Sequence, residues 1–283
     1  MTDARIRLRL AEADVAVRLR GEGPPILLLH GGGPGTCSDD WLAAMSCLPE
    51  DVLAIAPDFP SFGGSSLPRG AALGHPTFMR IALGVMDALC LKQVLLVGHS
   101  MGAAVAAALA VQNPDRIAHL LLVAPGGGFY GLEDYVSPGM GAIARAVEEP
   151  SAARIGELVA LMCHQEPVRE LQVARRLATL RGDPAVLQAQ RDMQADRSAR
   201  TTAQKEARAN WAPMMREFQR PVTLVWGAQE RFNPVDLGER IHGCLPAHAR
   251  MVSVAGAGHN VQCDQPAEMA RILVDARLGK EET

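Results

Sequence analysis

The string Gly98-His99-Ser100-Met101-Gly102 lies between the continuously apolar residues 94–97 and an Ala-rich stretch of helical pattern at 103–112. A strand that passes through a sharp turn straight into a helix leaves few folds open. A serine at such a turn sits where neighbouring side chains would collide, so small residues are needed two positions before and after it. Gly98 and Gly102 meet that need. The helix beginning at the turn offers free backbone N–H groups and a positive dipole end, which favour an oxyanion formed beside the serine. Ser100 is therefore the candidate nucleophile and the Met101 N–H the first candidate oxyanion donor.

The rest of the chain has an α/β rhythm. Residues 4–10 and 13–20 alternate as an N-terminal hairpin would, and Gly21-Glu22-Gly23-Pro24-Pro25 turns the chain into the apolar run 26–30. Further strand candidates lie at 52–56, 94–97, 120–123, 222–226 and 250–254, mostly apolar throughout, as parallel strands covered on both faces must be. Helical patterns at about 77–90, 101–112, 236–244 and 265–277 supply the crossovers that parallel strands require. The expected fold class is α/β, with a mostly parallel central sheet flanked by helices. Residues 127–213 break the rhythm, being rich in Arg, Ala, Glu and Gln at helical spacing without a comparable strand. They are expected to form a helical cap inserted after the sixth core strand, over the carboxyl ends of the sheet, with residues 1–126 and 214–283 as the two parts of the core.

Two other segments complete the expected chemistry. His30-Gly31-Gly32-Gly33-Pro34-Gly35 ends the 26–30 run, and its glycines let backbone N–H groups approach a substrate oxygen. Gly32 is the second candidate oxyanion donor, with Gly31 and Gly33 beside the substrate. The stretch lacks the GK[ST] ending and the GxGxxG register of phosphate-binding loops. His259, in Ala257-Gly258-His259-Asn260, is the one histidine after the last strand candidate and stands where a general base belongs in the order serine, acid, histidine. The acid belongs after the 222–226 strand; Glu230 is the candidate and Asp236 the alternative. His30 and His99 flank the site and are expected to shape it rather than transfer protons.

Composition narrows the partners. A formal charge of −3 without a dense Lys/Arg run gives no footprint for nucleic acid or an acidic membrane surface. The N-terminus lacks the apolar core of a secretory signal, and no stretch is long enough to span a bilayer, so a cytoplasmic protein acting on a small molecule is expected. The six cysteines (Cys37, Cys47, Cys90, Cys163, Cys244, Cys263) show no CxxC spacing and read as buried free thiols, with no metal site or cofactor implied. A homodimer or higher homo-oligomer is the base expectation.

With the elbow, HGGGPG, WGxxE and AGxGH in this order, the chain resembles the α/β-hydrolase superfamily over nearly its whole length. Within it, residues 30–35, the segment Pro57-Asp58-Phe59-Pro60-Ser61-Phe62-Gly63-Gly64-Ser65, Ser100-Met101-Gly102 and residues 226–234 resemble the meta-cleavage-product hydrolases, which break a carbon–carbon bond in dienoates left by aromatic ring opening. That resemblance implies a cap arginine for the substrate carboxylate, and the register from Gln165 to Pro184 puts Arg176 there, with Arg175 one residue away. Asn260 stands where these hydrolases usually have Trp, His99 where they usually have Asn, and Glu230 in place of their Asp; His99 and Asn260 are thus expected to reshape the substrate pocket. Ester, lactone or thioester hydrolysis would use the same residues. A binding protein without turnover and non-hydrolytic chemistry on the same scaffold are the remaining readings.

Overall fold

The computed structural model describes residues 3–132, 135–180, 184–198, 211–234 and 236–279. Strands β1 (Asp3–Arg9) and β2 (Asp14–Arg20) form the expected hairpin, and β2 continues antiparallel onto β4 (Leu53–Pro57). From there every pairing is parallel, through β3 (Pro25–Leu29), β5 (Val94–His99), β6 (Ile117–Val123), β7 (Val222–Gly227) and β8 (Arg250–Val254). The eight strands make one sheet in the order β1-β2-β4-β3-β5-β6-β7-β8.

Strand periodicity explains why the central runs are apolar at every position. Leu27, Leu29, Leu96, Leu120 and Leu122 point into one core, whereas Ile26, Leu28, Leu95, Val97 and Leu121 point into the other. The first core is covered by α2 (His75–Ala88) and α3 (Met101–Gln112), the second by α1 (Leu42–Ser46) and the C-terminal α11 (Pro266–Leu278). Each buried Leu, Ile or Val contributes roughly 1.5–3 kcal/mol, so the double-sided burial fixes the sheet more firmly than strand propensity does. Helix α3 is buried along nearly its whole length, and its alanines let it lie close to the strands beneath.

Element ends depart from expectation for local reasons. Helix α2 begins two residues before position 77, because Pro76 falls in the first turn, where a missing N–H costs no hydrogen bond. The helix expected over 265–277 is α11, and a separate short helix, α10 (Val261–Asp264), precedes it; the two divide at Gln265, whose φ of −132° and ψ of 64° obey the restriction that Pro266 imposes on the residue before it. A shorter helix, α9 (Leu237–His242), occupies the 236–244 region. All six cysteines are free; Cys37, Cys163, Cys244 and Cys263 are buried as expected, whereas Cys47 and Cys90 are exposed just past the ends of α1 and α2.

Between β6 and β7 the described residues hold a 3-10 turn (Gly127–Tyr130), α4 (Pro138–Glu148), α5 (Ala152–Met162), α6 (Glu166–Leu180), α7 (Pro184–Ser198) and α8 (Trp211–Arg216). Residues 199–210 of the expected insertion lie outside the described residues. Helices α4 and α5 start on serine caps, Ser137 and Ser151, whose side chains accept from Met140 N and Arg154 N. Their apolar faces build a third core from Ala142, Ile143, Ala146, Ile155, Leu158 and Val159, which one residue from the β7–α9 loop, Phe232, also enters. Among the described residues no helix is long and apolar enough to cross a membrane.

Candidate active site

The turn from β5 into α3 holds Ser100 at φ 51° and ψ −109°, a sparsely populated conformation for a residue with a side chain. Such backbone strain costs on the order of 1–3 kcal/mol and persists only where the surroundings enforce it. Here Ser100 N donates to Val123 O at 2.9 Å, and the flanking glycines permit the crossing: a Cβ on Gly98 would collide with Gly102 O, and one on Gly102 would come 2.6 Å from Leu29 O. Ser100 emerges into a cavity of about 370 Å³.

Gly32 and Met101 line the same cavity on either side of the serine, and a Cβ on Gly32 would stand only 3.5 Å from that of Met101. Met101 is the first residue of α3, where N–H groups have no intrahelical partner. The loop carrying Gly32 is anchored from below. His30 Nδ1–H donates to Gly31 O at 2.8 Å and its Nε2 accepts from Phe59 N at 2.9 Å, which fixes one neutral tautomer. Burial holds the His30 imidazole below its ordinary pKa in spite of the nearby Asp58. Asp58 itself accepts from Ser38 N and Gly64 N, each at 2.8 Å, and pairs with Arg5 at 3.1 Å, so the Asp58–Ser65 segment acts as the floor of the loop.

His259 follows β8, and its ring is fully buried. Its Nδ1–H donates to Glu230 Oε2 at 2.9 Å, while Glu230 Oε1 accepts from Phe232 N at 2.7 Å and Asn233 N at 3.2 Å. The carboxylate is thus held on both oxygens, and the tautomer it imposes leaves Nε2 as the lone-pair nitrogen. That Nε2 is buried and has no hydrogen-bond partner. The alternative acid, Asp236, is 66% exposed and sits 4.0 Å from Arg240 at the start of α9; the structure brings Glu230, not Asp236, to the imidazole.

Two rings enclose His259. Phe232 stacks on it with centroids 4.1 Å apart and planes 14° apart, and His99 meets it edge-on at 5.0 Å. His99 Nε2–H donates to His259 O at 3.0 Å, and burial, then the neighbouring His259, pushes the His99 imidazole well below its ordinary pKa. It is a neutral spacer. A Cβ on Gly31 would come 2.7 Å from His99 Nδ1, so Gly31 and His99 pack against each other behind the serine.

Of the residues expected around a substrate, Gly33 lines the cavity, whereas Gly31, His99, Asn260 and Arg176 are not among its lining residues. Asn260 is buried with both side-chain polar atoms unpartnered, and its N–H donates to Met162 O at 2.8 Å. Arg176 is fully buried against the HGGGPG loop, and Arg175 is half-buried with Nη1 3.4 Å from Asp39 O. Much of the wall comes from residues outside the sequence motifs, among them Phe129, Leu132, Tyr135, Met140 and Ile143. Phe232, which also lines it, falls in the 226–234 segment, two residues past the expected acid. Among the described residues no three His, Cys, Asp or Glu side chains are grouped to hold a metal ion.

The family model described as the alpha/beta hydrolase fold matches residues 24–266. The chain is 26% identical over 261 residues to a 2-hydroxy-6-oxo-6-phenylhexa-2,4-dienoate hydrolase of Comamonas testosteroni, covering 90% of this chain and 88% of that protein. Among solved structures it is similar to the enzyme of that same name from Rhodococcus sp. strain RHA1, with a TM-score of 0.83 at 23% identity over 98% of this chain and 100% of that one. It is also similar to a thermophilic esterase from Thermogutta terrifontis, with a TM-score of 0.76 at 21% identity over 99% of this chain and 100% of that one.

Proposed function

The chain belongs to the alpha/beta hydrolase fold family, and on that premise we propose that it is a serine hydrolase that cleaves a small carbonyl substrate through an acyl-enzyme. The observation that carries this reading is the buried Glu230–His259 pair, whose imidazole ring meets that of His99, the residue before a serine in a strained strand-to-helix turn, and stacks on Phe232, which lines the cavity of that serine. His259 Nε2 takes the Ser100 proton as Oγ attacks the carbonyl. Glu230 stabilises the imidazolium that results, and the Met101 and Gly32 N–H groups hold the oxyanion. The imidazolium then protonates the leaving group, and a water activated by the same nitrogen clears the acyl-enzyme. These steps require no cofactor.

A second reading concerns the bond broken. Relatives of this chain over 90% of its length are named as dienoate hydrolases, which favours carbon–carbon cleavage of a ring-fission product. In that variant the dienol is first ketonised, so that the departing carbon leaves as a stabilised dienolate. Ester cleavage through the same serine, base and oxyanion donors is the other reading of the bond.

The test is a rate assay of wild type and Ser100→Ala on a coloured ring-fission dienoate and on p-nitrophenyl butyrate. Loss on the order of 10³-fold with the alanine variant is expected on whichever substrate is turned over. An alanine variant as fast as wild type on both would overturn the serine mechanism, and the ratio of the two wild-type rates decides between the bonds.

A further inference from the structure

Arg176 is one of the largest fully buried side chains of the molecule, and its polar contacts reach the loop that carries Gly32 and the 3-10 helix Ser38–Trp41 that follows it. Its Nη1 donates to Pro34 O at 3.0 Å and its Nη2 lies 3.4 Å from Thr36 Oγ1 and 3.7 Å from Asp40 Oδ2. The Thr36 hydroxyl donates to that same Asp40 oxygen at 2.5 Å, and the Arg176 and Asp40 side chains are 1% and 5% exposed. The backbones also meet, since at Gly35, with φ 71°, a Cβ would come 2.6 Å from Arg176 Cα. One turn earlier on α6, Gln172 Nε2 lies 3.2 Å from Cys263 Sγ, whose thiol donates to Asp40 O. The buried polar face of α6 thus docks onto the loop and onto α10.

We infer that Arg176 is a positioning residue for the oxyanion loop, neutralised by Asp40, and that it gives a substrate carboxylate no receptor. The inference rests on the serine-hydrolase reading for its kinetic consequences. A buried guanidinium beside a buried carboxylate has its charge already answered; a second carboxylate on the same group would either displace Asp40 or stack like charges in a dry place. Nη1 and Nη2 are each turned toward protein oxygens, on Pro34 and on Thr36 and Asp40, and Nε is buried without a partner. Gly33 stands between, for a Cβ there would be 3.6 Å from Arg176 Nη1 while the residue itself faces the cavity. Arg176 itself is not among the residues that line that cavity. The arginine acts on rate by keeping Gly32 N–H where the oxyanion forms.

The experiment compares wild type, Arg176→Met, Arg176→Lys and Asp40→Asn on two nitrophenyl esters of equal chain length, one ending in a methyl group and one in a carboxylate. For Arg176→Met we expect kcat to fall at least tenfold on both esters, with KM changed less than threefold and the preference between esters unaltered; Arg176→Lys restores part of the rate on both. Asp40→Asn, which frees the charge, is expected to lower KM for the carboxylate ester alone. A rise in KM confined to the carboxylate ester in Arg176→Met, with the neutral ester untouched, overturns the inference. Independently of turnover, calorimetric titration of benzoate into Ser100→Ala with and without Arg176→Met should give equal affinities, and a tenfold loss on removing the arginine overturns it as well. Failure of Ser100→Ala to lose activity would instead strike the serine mechanism, and the titration would still judge the arginine.

Discussion

Phe232 lies flat against His259 while its own carbonyl accepts from Ser137 Oγ at 2.8 Å and Gly139 N at 2.9 Å, so the first turn of α4 holds the ring that backs the imidazole. On the proposed mechanism an aromatic face stabilises the imidazolium by roughly 0.5–2 kcal/mol. Phe232→Leu keeps the apolar volume but removes the face, and kcat is expected to fall about twofold to thirtyfold. Steady-state rates with an unchanged melting temperature check this, and an undiminished kcat would show the stack to be packing alone.

Glu230→Gln should cost about 10³- to 10⁴-fold in kcat, because an amide cannot stabilise the imidazolium and favours the wrong tautomer. Asp236→Asn should stay within about twofold of wild type, as expected for an exposed helix-end carboxylate. Single-turnover assays of the pair identify the acid, and a reversed ranking would move that role to Asp236.

The strain at Ser100 predicts a trade between stability and activity. Ser100→Gly relieves the positive φ and should raise unfolding free energy by about 1 kcal/mol while abolishing turnover. Urea unfolding of the two proteins reads this directly, and a glycine variant less stable than wild type would mean that the turn is not strained.

Acid should unfold the protein through its buried imidazoles. His119 is lowered to about 4 by burial and by Arg250, and its Nε2 sits 2.9 Å from Thr223 Oγ1. With a folded pKa below the unfolded value, its neutral form favours the native state: that stability is complete above about pH 6.5 and is lost as pH falls toward 4. The shift corresponds to roughly 3 kcal/mol at most. Burial lowers His30 and His99 in the same direction. Urea midpoints between pH 7.5 and 4.5 should fall for wild type and fall less for His119→Gln; parallel curves would assign the acid loss elsewhere.

The parts of the site legible in the sequence are those that local backbone geometry dictates. Ser100 needs its glycines within two residues, and His259 and Glu230 follow strands whose apolar runs announce them. Arg176 was placed by register, but its pairing with Asp40 spans 136 positions and no periodicity encodes it. The cavity wall was equally hidden, because helices at ordinary spacing say which face is apolar and not what that face meets. The start of α2 differs from the expected one because proline decides it, at Pro76.

Asp264 accepts from Gly258 N and His164 N, each at 2.8 Å, and from Gln165 N at 2.9 Å, while Asn260 N reaches Met162 O. One carboxylate therefore sutures the loop of His259 to the junction of α5 and α6. The helices between β6 and β7 are, on that margin, no detachable module. Chimeras that exchange this segment between relatives must carry matching residues at 232 and 264, or they will lose the imidazole's alignment together with the new pocket they were built to gain.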